Sequence, residues 1–571
     1  MSDDRKPSTD DAVLPHHAVW PRRLPHALEV PQTTLWFNAE VCARRFPNKA
    51  YYRFLGRDLA FAEFERQASA IAGWLRHRGV APGDRIVLLM QNCPQFAIAF
   101  YGILRAQAVV VPVNPMNKAD ELGHYITDPG AKLAIVSADL AAALAQANAM
   151  VEPAQRLQGM LVTHYRDALP ARDAAPAMPD AMAQWLYAEH PLPQGATAWA
   201  DALGAGHDAG PYDGQPDDLA VLPYTSGTTA LPKGCMHTHR TLMPNTVGAA
   251  QWGFVGPESV SLAVVPMFHI TGMMYGVHAP LWSGTTMVVM PRWDRELAAR
   301  LIAEHRVTHW TCIPTMIIDL LASPNAASFD LSSLKFISGG GAAMPKAIAE
   351  RLERDFGLTF AEGYGLTETA APSHGNPHER AKLQCLGIPI FGVDSRVVDP
   401  DTLAPMPTGE TGEIVIHGPM VFTGYWKHPE ATAAAFVTID GKRFFRSGDL
   451  GRVDDEGYFF ITDRLKRMIN ASGFKVWPSE VELMLYRHPA IAEACVIGTR
   501  DAYRGETVKA FVVLRGDARE RTTAESIIEW AREHMAAYKV PRVVEFIDAL
   551  PKSGSGKVMW RLLQDGENAQ T

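Results

Sequence analysis

Short runs of aliphatic residues alternate with longer segments of helical periodicity along most of the chain. The aliphatic runs lie at 86–90, 109–113, 133–136 and 286–290. Between them, segments such as 61–79 and 94–107 place apolar residues three and four positions apart. Such short apolar runs are typical of strands buried on both faces, and their alternation with helices is typical of parallel sheets. The pattern predicts an α/β fold of mostly parallel sheets flanked by helices.

The character of the sequence changes near residue 460. A charged, glycine-interrupted stretch over 463–482 leads into a final segment with strand and helix signals of its own. A stretch of this kind marks a boundary between domains. We therefore predict a large N-terminal domain at 1–465 and a small, mobile α+β domain at 466–571.

Composition and charge exclude several classes of protein. Of the 571 residues, 47% are hydrophobic and 20% are charged, which is typical of a globular chain and not of a disordered or fibrous one. The net charge of −8 provides no basic field for nucleic acid, which we exclude as a partner. The cysteines are scattered without paired spacing, so we interpret them as core thiols in a reduced compartment.

The sequence carries no signal for export or for a membrane span. Residues 1–17 are polar and lack the basic stretch and apolar run of a signal peptide. The most apolar stretches, near 96–113 and 261–282, are interrupted by arginine, histidine or proline, so they are better interpreted as buried core. We expect a cytoplasmic protein without a transmembrane segment. Peripheral contact with a membrane and assembly as a homodimer stay open.

A loop suited to polyphosphate lies directly after the apolar run 219–223. It reads Tyr224-Thr-Ser-Gly-Thr-Thr-Ala-Leu-Pro-Lys-Gly234. Main-chain N–H groups and hydroxyls in such a loop donate to phosphate oxygens, while the lysine neutralises their charge. The spacing differs from that of a Walker A loop. A polar surface turn is the alternative, but the full string favours a loop that wraps a polyphosphate.

Further motifs follow this loop in a fixed order. They are Pro266-Met-Phe-His-Ile270, Ser338-Gly-Gly-Gly-Ala-Ala-Met-Pro345, Glu362-Gly-Tyr-Gly-Leu-Thr-Glu-Thr369, Arg446-Ser-Gly-Asp-Leu450, Asp463-Arg-Leu-Lys466, Ser472-Gly-Phe-Lys-Val476 and Pro551-Lys-Ser-Gly-Ser-Gly-Lys557. Over roughly 35–565 the chain thereby resembles the adenylate-forming superfamily, which contains acyl-CoA synthetases, luciferases and the adenylation domains of peptide synthetases. The resemblance implies an enzyme that uses ATP, Mg²⁺ and coenzyme A. It would activate a carboxylic acid as an acyl-adenylate and then transfer the acyl group to the thiol.

The resemblance also implies which residues bind the nucleotide. Thr228 and Glu368 would contact the phosphates and the magnesium ion, and Tyr364 would cover the adenine. Asp449 would accept from the ribose hydroxyls, and Arg464 would support the ribose or a phosphate. The other nucleotide-binding residues that it implies are Thr225, Ser226, Gly227, Thr229, Lys233, Gly340, Gly341, Ala342, Glu362, Gly363, Gly365 and Thr367.

Catalysis and domain movement involve a second group of residues in the family. Lys557 resembles the catalytic lysine that bridges the α-phosphate and the substrate carboxylate, and His269 resembles a gate-like aromatic at the acyl site. Lys466 occupies the position about which the small domain rotates. Gly473 and Phe474 would then line the channel for the pantetheine arm of coenzyme A.

Three positions depart from the family pattern. Ala230 replaces a glycine, Asp463 stands where many relatives have glycine, and Trp560 replaces an arginine. None of the three removes a group that the chemistry needs.

The nature of the acid is predicted from the segment 270–276. This segment supplies small and flexible apolar residues and no cation, which favours an apolar tail. We predict a medium- or long-chain fatty acid, with an aryl acid of the benzoate or cinnamate type as the alternative. Three further hypotheses stay open, namely an adenylation enzyme that loads a carrier protein, a catalytically silent relative and a luciferase-type oxygenase.

Overall fold

The computed structural model divides the chain into two compact units. It describes residues 14–225, 231–464, 467, 469–471, 474–501, 505–516, 518–519, 521–552 and 558–570. The larger unit contains the chain up to 394 together with 416–445 and 456–458, and the smaller unit contains 395–415, 446–455 and the chain from 459 onward. The chain thus passes between the units more than once, and the single predicted boundary at 465/466 stays a prediction.

The first sheet of the larger unit is built from aliphatic runs in the first part of the chain. Its strands are, in spatial order, His237–Thr238, Leu219–Val221, Val109–Pro112, Arg85–Leu89, Ala131–Ser137, Met160–Thr163 and Thr197–Ala198. They pair in parallel except that His237–Thr238 is antiparallel to its neighbour. The helices along this part of the chain are Phe61–His77, Pro94–Arg105, Ala119–Thr127, Ala138–Met150, Asp180–Tyr187 and Trp199–Gly204. Three predicted runs, at 86–90, 109–113 and 133–136, coincide with its buried strands.

A second sheet of the larger unit carries the motifs that follow the loop. Its strands are, in spatial order, Ile388–Pro389, Ala371–Gly375, Phe360–Leu366, Phe336–Gly340, His309–Cys312, Val260–Ala263, Thr286–Val289, Ala50–Phe54 and Arg57–Ala60. The inner pairs are parallel and the pairs at both ends are antiparallel. Its helices are Leu35–Arg45, His239–Trp252, Ile270–Met273, Ala279–Ser283, Arg295–Glu304, Pro314–Leu321 and Lys346–Phe356. Further along the same unit lie helix Pro429–Ala434 and strand Phe436–Ile439, which pairs with the beginning of strand Lys442–Val453.

One helical segment of the second sheet is interrupted. Ile270–Met273 is α-helical, Met274–His278 has the wider turns of a π-helix, and Ala279–Ser283 is α-helical again. We call Met274–His278 the π segment. Pro280 accounts for the interruption, because its ring crowds the carbonyl four residues earlier and it has no N–H to donate. Gly284, with a φ of +74°, ends the helical segment.

The smaller unit combines strands and helices in the α+β manner. The end of strand Lys442–Val453 pairs antiparallel with Phe459–Arg464. A further sheet has the order Phe474–Val476, Ile469–Ala471, Gly505–Leu514 and Ile491–Asp501, and Val543–Phe546 pairs in parallel with Gly505–Leu514. Strands Asp394–Val398 and Gly412–His417 and helices Pro478–Leu485, Ala524–His534 and Trp560–Gln570 complete the secondary structure described after residue 393 in this part of the fold. The predicted α/β fold with a small α+β domain is confirmed.

All six cysteines are buried and none forms a disulfide, which confirms their interpretation as core thiols. None of the helices in the described ranges combines the length and the hydrophobicity that crossing a bilayer requires.

Candidate active site

The predicted phosphate loop is the tip of a small hairpin. Strand Tyr224–Thr225 pairs antiparallel with Lys233–Gly234, so that Thr225 lies opposite Lys233. The hydroxyl of Tyr224 donates to a carboxylate oxygen of Asp128 at 2.6 Å, which fixes the base of the hairpin. Of the predicted loop residues, Ser226, Gly227, Thr228 and Thr229 lie outside the described residues. The described base nevertheless places Thr225 and Lys233 opposite each other on the two strands.

A buried carboxylate lies next to this hairpin. Glu368 is only 8% exposed, and its Oε1 accepts a hydrogen bond of 2.8 Å from the hydroxyl of Tyr425. The Nζ of Lys233 lies 5.4 Å from the centre of the Tyr425 ring. Burial, together with the nearby charge of Glu368, raises the pKa of Tyr425, so its hydroxyl remains a donor at every working pH. The structure therefore joins Lys233 and Glu368 through Tyr425, a residue that the sequence reasoning missed.

Thr367 belongs to the same group through its main chain. Its carbonyl accepts from Nε2 of His237 at 2.7 Å, and His237 is fully buried. Burial lowers the pKa of His237 to about 4, so the ring is neutral. The short 3₁₀ turn Thr367–Thr369 is thereby fastened to the strand that continues from the hairpin.

The donor set fits a magnesium ion. Mg²⁺ keeps most of its waters and takes one or two protein carboxylates, often together with substrate phosphates. Within the described ranges no group of three or more metal-ligating side chains occurs, so a site formed wholly by protein ligands is not present there. A single buried carboxylate, Glu368, beside a phosphate loop suits the ion. Thr228, the other predicted ligand, lies outside the described residues.

The glycine-rich motif lies at the end of two parallel strands. Gly340 of strand Phe336–Gly340 is opposite Gly363 of strand Phe360–Leu366. A β-carbon at position 340 would lie 2.2 Å from the carbonyl oxygen of Gly363, so only glycine fits. Gly341 has a φ of +85° and begins an exposed loop that includes Ala342. The close approach of the two strands thus requires glycine at position 340, in addition to the predicted approach of the adenine ring of the nucleotide.

Glu362 is buried beneath the exposed loop. Its carboxylate oxygens accept from the main-chain N–H groups of Met344, at 3.3 Å, and Gln384, at 2.7 Å. Burial raises the pKa of Glu362 to about 7, and the two hydrogen bonds oppose that change. In this position the carboxylate holds the loop that follows Gly341. Direct contact between Glu362 and a nucleotide stays a prediction.

Tyr364 is half-buried and lies on the same strand as Glu362. It lies opposite His374 in the antiparallel neighbour, with ring centres 5.6 Å apart. His374 is fully buried, and burial lowers its pKa to about 3. Gly365 follows on the same strand and is exposed. Tyr364 thus has a neutral aromatic neighbour on the strand beside it, and its predicted role beside the adenine stays open.

His269 begins the helical segment that contains the π segment. It is exposed, and its Nδ1 accepts from the N–H of Thr271 at 3.4 Å as a helix N-cap. The structure therefore assigns His269 a local role that the sequence reasoning did not foresee. Its predicted role at the acyl site stays a prediction.

A narrow cavity lies between this helical segment and the second sheet. Its volume is about 40 Å³, and apolar atoms make up most of its surface. Helix His239–Trp252 and the segment around the π segment supply small residues, and the strands supply hydroxyl and imidazole groups. The small residues are Ala249, Ala250, Gly253, Gly272, Gly276 and Ala279, and the polar residues on the strands are Ser261, His309, Thr311 and Ser338.

In the smaller unit, two predicted ribose residues share one strand pair. Asp449 lies opposite Arg464 in the antiparallel register of Lys442–Val453 and Phe459–Arg464. Asp449 is fully buried, and its N–H donates to Oγ of Ser447 at 3.0 Å. The side chains of Arg464 and Phe474 lie outside the described residues, as do Lys466, Gly473 and Lys557.

A buried ion pair supports the turn before Asp449. Glu413 is 1% exposed and pairs with the guanidinium of Arg446. The other carboxylate oxygen of Glu413 accepts from the N–H of Gly448 at 3.2 Å. Glu413 was missed by the sequence reasoning, although its position in the Thr-Gly-Glu sequence at the start of a buried strand offered a signal.

Two of the departures from the family pattern have structural partners. A carboxylate oxygen of Asp463 accepts from the N–H of Ser479 at 2.8 Å, at the start of helix Pro478–Leu485. The guanidinium of Arg467 pairs with Glu482 and lies 5.6 Å from the Trp560 ring. Asp463 therefore supports a helix N-terminus, and Trp560 packs against a cation.

These arrangements are those of an enzyme of the adenylate-forming class, and comparison with known proteins agrees. The family model described as AMP-binding enzyme matches residues 39–426, and that of the AMP-binding enzyme C-terminal domain matches residues 480–557. The chain belongs to the AMP-binding enzyme family.

The relatives cover almost the whole chain. A long-chain-fatty-acid–CoA ligase of Bacillus subtilis (strain 168) is 35% identical over 97% of this chain and 98% of its own length. A feruloyl-CoA synthase of Amycolatopsis sp is also 35% identical, over 90% of this chain and 96% of its own length. The solved structure of ATP-bound MatB from Rhodopseudomonas palustris is 28% identical, with a TM-score of 0.79, over 93% of this chain and 99% of that chain.

The family assignment gives the type of reaction. The chain is an acid–CoA ligase of the AMP-forming type, and its reactants are ATP, coenzyme A and a carboxylic acid, with Mg²⁺ as the metal. The predicted family and cofactors are confirmed. The names of the relatives include both fatty and aromatic acids, so they support more than one class of acid.

Proposed function

We propose that the chain activates a medium- or long-chain fatty acid and transfers its acyl group to coenzyme A. The observation that carries this proposal is the cavity, whose helical walls are formed mostly by alanine, glycine and proline, together with Tyr275. A pocket of that composition suits an alkyl tail and offers no cation for a second carboxylate. The similarity to the fatty-acid ligase of Bacillus subtilis supports the same assignment.

The first step forms an anhydride bond. A carboxylate oxygen of the acid attacks the α-phosphorus of ATP, and the bond to pyrophosphate breaks, which leaves an acyl-adenylate. Lys233 would neutralise charge on the phosphates, and the hydroxyls of the phosphate loop would donate hydrogen bonds to their oxygens. Glu368 would hold Mg²⁺, which would supply further stabilisation of the charge on those oxygens. Lys557 would contribute a positive charge near the α-phosphate during this step.

In the second step the sulfur of coenzyme A replaces AMP on the acyl carbon. The thiol of coenzyme A loses its proton to water and its sulfur attacks the acyl carbon. The bond between that carbon and the phosphate oxygen breaks, and AMP leaves with its phosphate. Lys466 is the residue about which the small domain would rotate between the steps, and Gly473 and Phe474 would then face the pantetheine arm. Neither step requires an oxidant, so an acyl-CoA ligase accounts for the retained motifs without oxygen chemistry.

An oxygen-substituted aryl acid is the second candidate. The strand side of the cavity carries Ser261, His309, Thr311 and Ser338. The hydroxyl oxygens of Thr311 and Ser338 lie 3.5 Å apart on neighbouring strands, where they could share a hydroxyl or methoxy group of a ring. The similarity to a feruloyl-CoA synthase supports this candidate.

The volume of the cavity limits which acids of either candidate class can enter it. A cavity of about 150 Å³ accommodates benzene, whereas this one measures about 40 Å³. A tail of either class therefore requires the walls to move outward.

The test is a pyrophosphate-release assay over saturated acids from acetate to palmitate and over benzoates and cinnamates, with and without coenzyme A. The proposal expects the highest kcat/KM for an acid of eight or more carbons, where eight is our rough threshold for an apolar tail. A preference for a cinnamate would replace it with the second candidate. Release of ADP and phosphate would contradict both candidates.

A further inference from the structure

The cavity wall contains a helical segment that cannot complete the hydrogen bonds of a regular α-helix. In an α-helix the N–H of residue 280 would donate to the carbonyl of Gly276, but Pro280 has no N–H. The segment adopts π-helical turns there, between Met274 and His278. Tyr275, Gly276 and Ala279 from this stretch line the cavity. The shape of one cavity wall therefore depends on how these carbonyls find donors.

Two tyrosines from another part of the chain supply the donors. The hydroxyl of Tyr52 donates to the carbonyl of Gly276 at 2.8 Å, and the hydroxyl of Tyr51 donates to the carbonyl of Val277 at 2.9 Å. The two hydroxyl oxygens are 3.1 Å apart. The hydroxyl of Tyr52 is thus also within donor distance of the hydroxyl of Tyr51, and the two side chains form one hydrogen-bonded cluster with the two carbonyls of the π segment.

A strand irregularity brings both hydroxyls to the same side. Consecutive side chains of a regular strand point to opposite faces. The pairing of Ala50–Phe54 with Arg57–Ala60 shifts register between Ala50 and Tyr52, so Tyr51 is the extra residue of a bulge. The two rings stack with their centres 4.0 Å apart and both are fully buried. The bulge thus re-aims Tyr51 to lie beside Tyr52.

Neither hydroxyl can ionise in this environment. Burial raises the pKa of Tyr51 and of Tyr52 well above that of an exposed tyrosine. Both side chains therefore remain hydrogen-bond donors at any pH at which the protein is folded.

The same strand also pairs with a strand that lines the cavity. Tyr52 is in parallel register with Met287, and Met287 lines the cavity. One residue thus joins two walls, the sheet through its main chain and the helical segment through its hydroxyl.

We propose that Tyr52, assisted by Tyr51, is a positioning residue that sets the width of the acyl cavity and thereby the choice of acid. The hydroxyl replaces the donor that Pro280 lacks and fixes Gly276 and its neighbours against the sheet. This inference rests on the proposed function, because it takes the cavity to hold the acyl tail. It does not depend on whether that tail is an alkyl chain or an aryl ring.

Tyr52→Phe removes only the hydroxyl and is the first test. Loss of the donor to a buried carbonyl should let the wall shift, so the ratio of kcat/KM between the best acid and one two carbons longer should change about tenfold. The KM values for ATP and coenzyme A should stay within about twofold of the wild type, because only the acyl cavity is altered.

Tyr165→Phe is the matched control. Tyr165 is 4% exposed, and its hydroxyl accepts from the main-chain N–H of Gln91 at 3.0 Å. The variant therefore loses a buried hydroxyl of the same kind without touching the π segment. We call the ratio of kcat/KM between the best acid and the acid two carbons longer the acid ratio. The acid ratio of Tyr165→Phe should equal that of the wild type even where the thermal stability of the variant falls.

A rescue variant separates positioning from general stability. In Pro280→Ala, residue 280 regains an N–H that can donate to the carbonyl of Gly276. Tyr52→Phe should therefore change the acid ratio by less than about twofold when it is added to Pro280→Ala, compared with about tenfold in the wild type.

The outcomes distinguish the inference from the proposed function. Equal acid ratios for Tyr52→Phe, Tyr165→Phe and the wild type would refute the inference while leaving the ligase activity intact. A tenfold change that persists in the Pro280→Ala background would also refute it, because the hydroxyl would then act by another route. If the wild type activates no acid with an apolar tail, the proposed function fails first.

Discussion

The hydroxyl of Tyr425 donates a 2.8 Å hydrogen bond to Oε1 of Glu368, and Nζ of Lys233 lies over the face of the same ring. The hydrogen bond from Tyr425 keeps the buried carboxylate of Glu368 in one orientation beside the phosphate hairpin. Tyr425 and Glu368 are separated by 57 positions in sequence.

Tyr425→Phe tests this arrangement. Without the hydroxyl, Glu368 loses a charge-assisted donor and its orientation becomes less defined, which costs about 1–3 kcal/mol in a buried site. We expect the kcat for adenylate formation to fall about tenfold and the Mg²⁺ concentration for half-maximal rate to rise.

The measurement is single-turnover pyrophosphate release over a magnesium titration. Tyr187→Phe is a suitable control, because its hydroxyl donates to the carbonyl of Pro170 in another part of the larger unit. An unchanged magnesium dependence in Tyr425→Phe would show that Glu368 is held without this hydroxyl.

The raised pKa of Glu362 predicts a dependence of stability on pH. Its value is about 7 in the folded chain against an ordinary value of 4.5. Between these values the folded state keeps a proton that the unfolded state has lost, so stability falls as pH rises from about 4.5 to about 7. Above that range the loss is complete.

Glu362→Gln checks the sign of this effect. The variant cannot titrate at this position, so its unfolding midpoint should fall less steeply than that of the wild type between pH 5 and 7, a range chosen roughly from the linkage relation. The variant is expected to be less stable overall, because its amide cannot accept from both Met344 and Gln384. Parallel curves for the two proteins would contradict the assignment.

Lys557→Ala should separate the two half-reactions. A positive charge near the α-phosphorus is needed only while the acyl-adenylate forms, and loss of such a contact costs several kcal/mol, or about 10²- to 10³-fold in rate. We therefore expect slow adenylate formation but near-normal conversion of supplied acyl-adenylate to acyl-CoA. Equal losses in both steps would argue against this role.

Lys466→Pro should also separate the two half-reactions, but here the thioester step should be the one that is lost. Proline fixes φ near −65°, so a hinge at this position could no longer change its backbone angles between the steps. Adenylate formation should persist, and the thioester step should fail in a protein whose circular dichroism matches the wild type. A wild-type rate of thioester formation from supplied acyl-adenylate would refute the hinge assignment.

Much of the fold follows from local pattern. The runs at 86–90 and 286–290 become buried parallel strands because their side chains are apolar on both faces, which sequence alone reveals. The ordered motifs likewise identified the family. The support of the site was harder to predict, because Tyr425 and Glu413 act through distant partners whose positions depend on the completed fold.

The π segment illustrates the same limit. Pro280 predicts an interrupted helix, but the compensating donor to the carbonyl of Gly276 is the hydroxyl of Tyr52, which is 224 positions from Gly276 in sequence. Gly340 shows a second kind of difficulty, because its small size serves the approach of another strand, which no local pattern reveals.

The position of the strand Ala50–Phe54 has a consequence for synthesis of the chain on the ribosome. Its parallel partner is Thr286–Val289, and Tyr52 pairs with Met287. At about 5–20 residues per second, translation takes on the order of tens of seconds to reach that partner. During this interval the two tyrosines cannot reach the π segment or the strand Thr286–Val289, and the apolar surface that these partners will cover is available to chaperones or to other nascent chains. Mutations in this short strand should therefore reduce the yield of folded protein more strongly than the stability of molecules that have already folded.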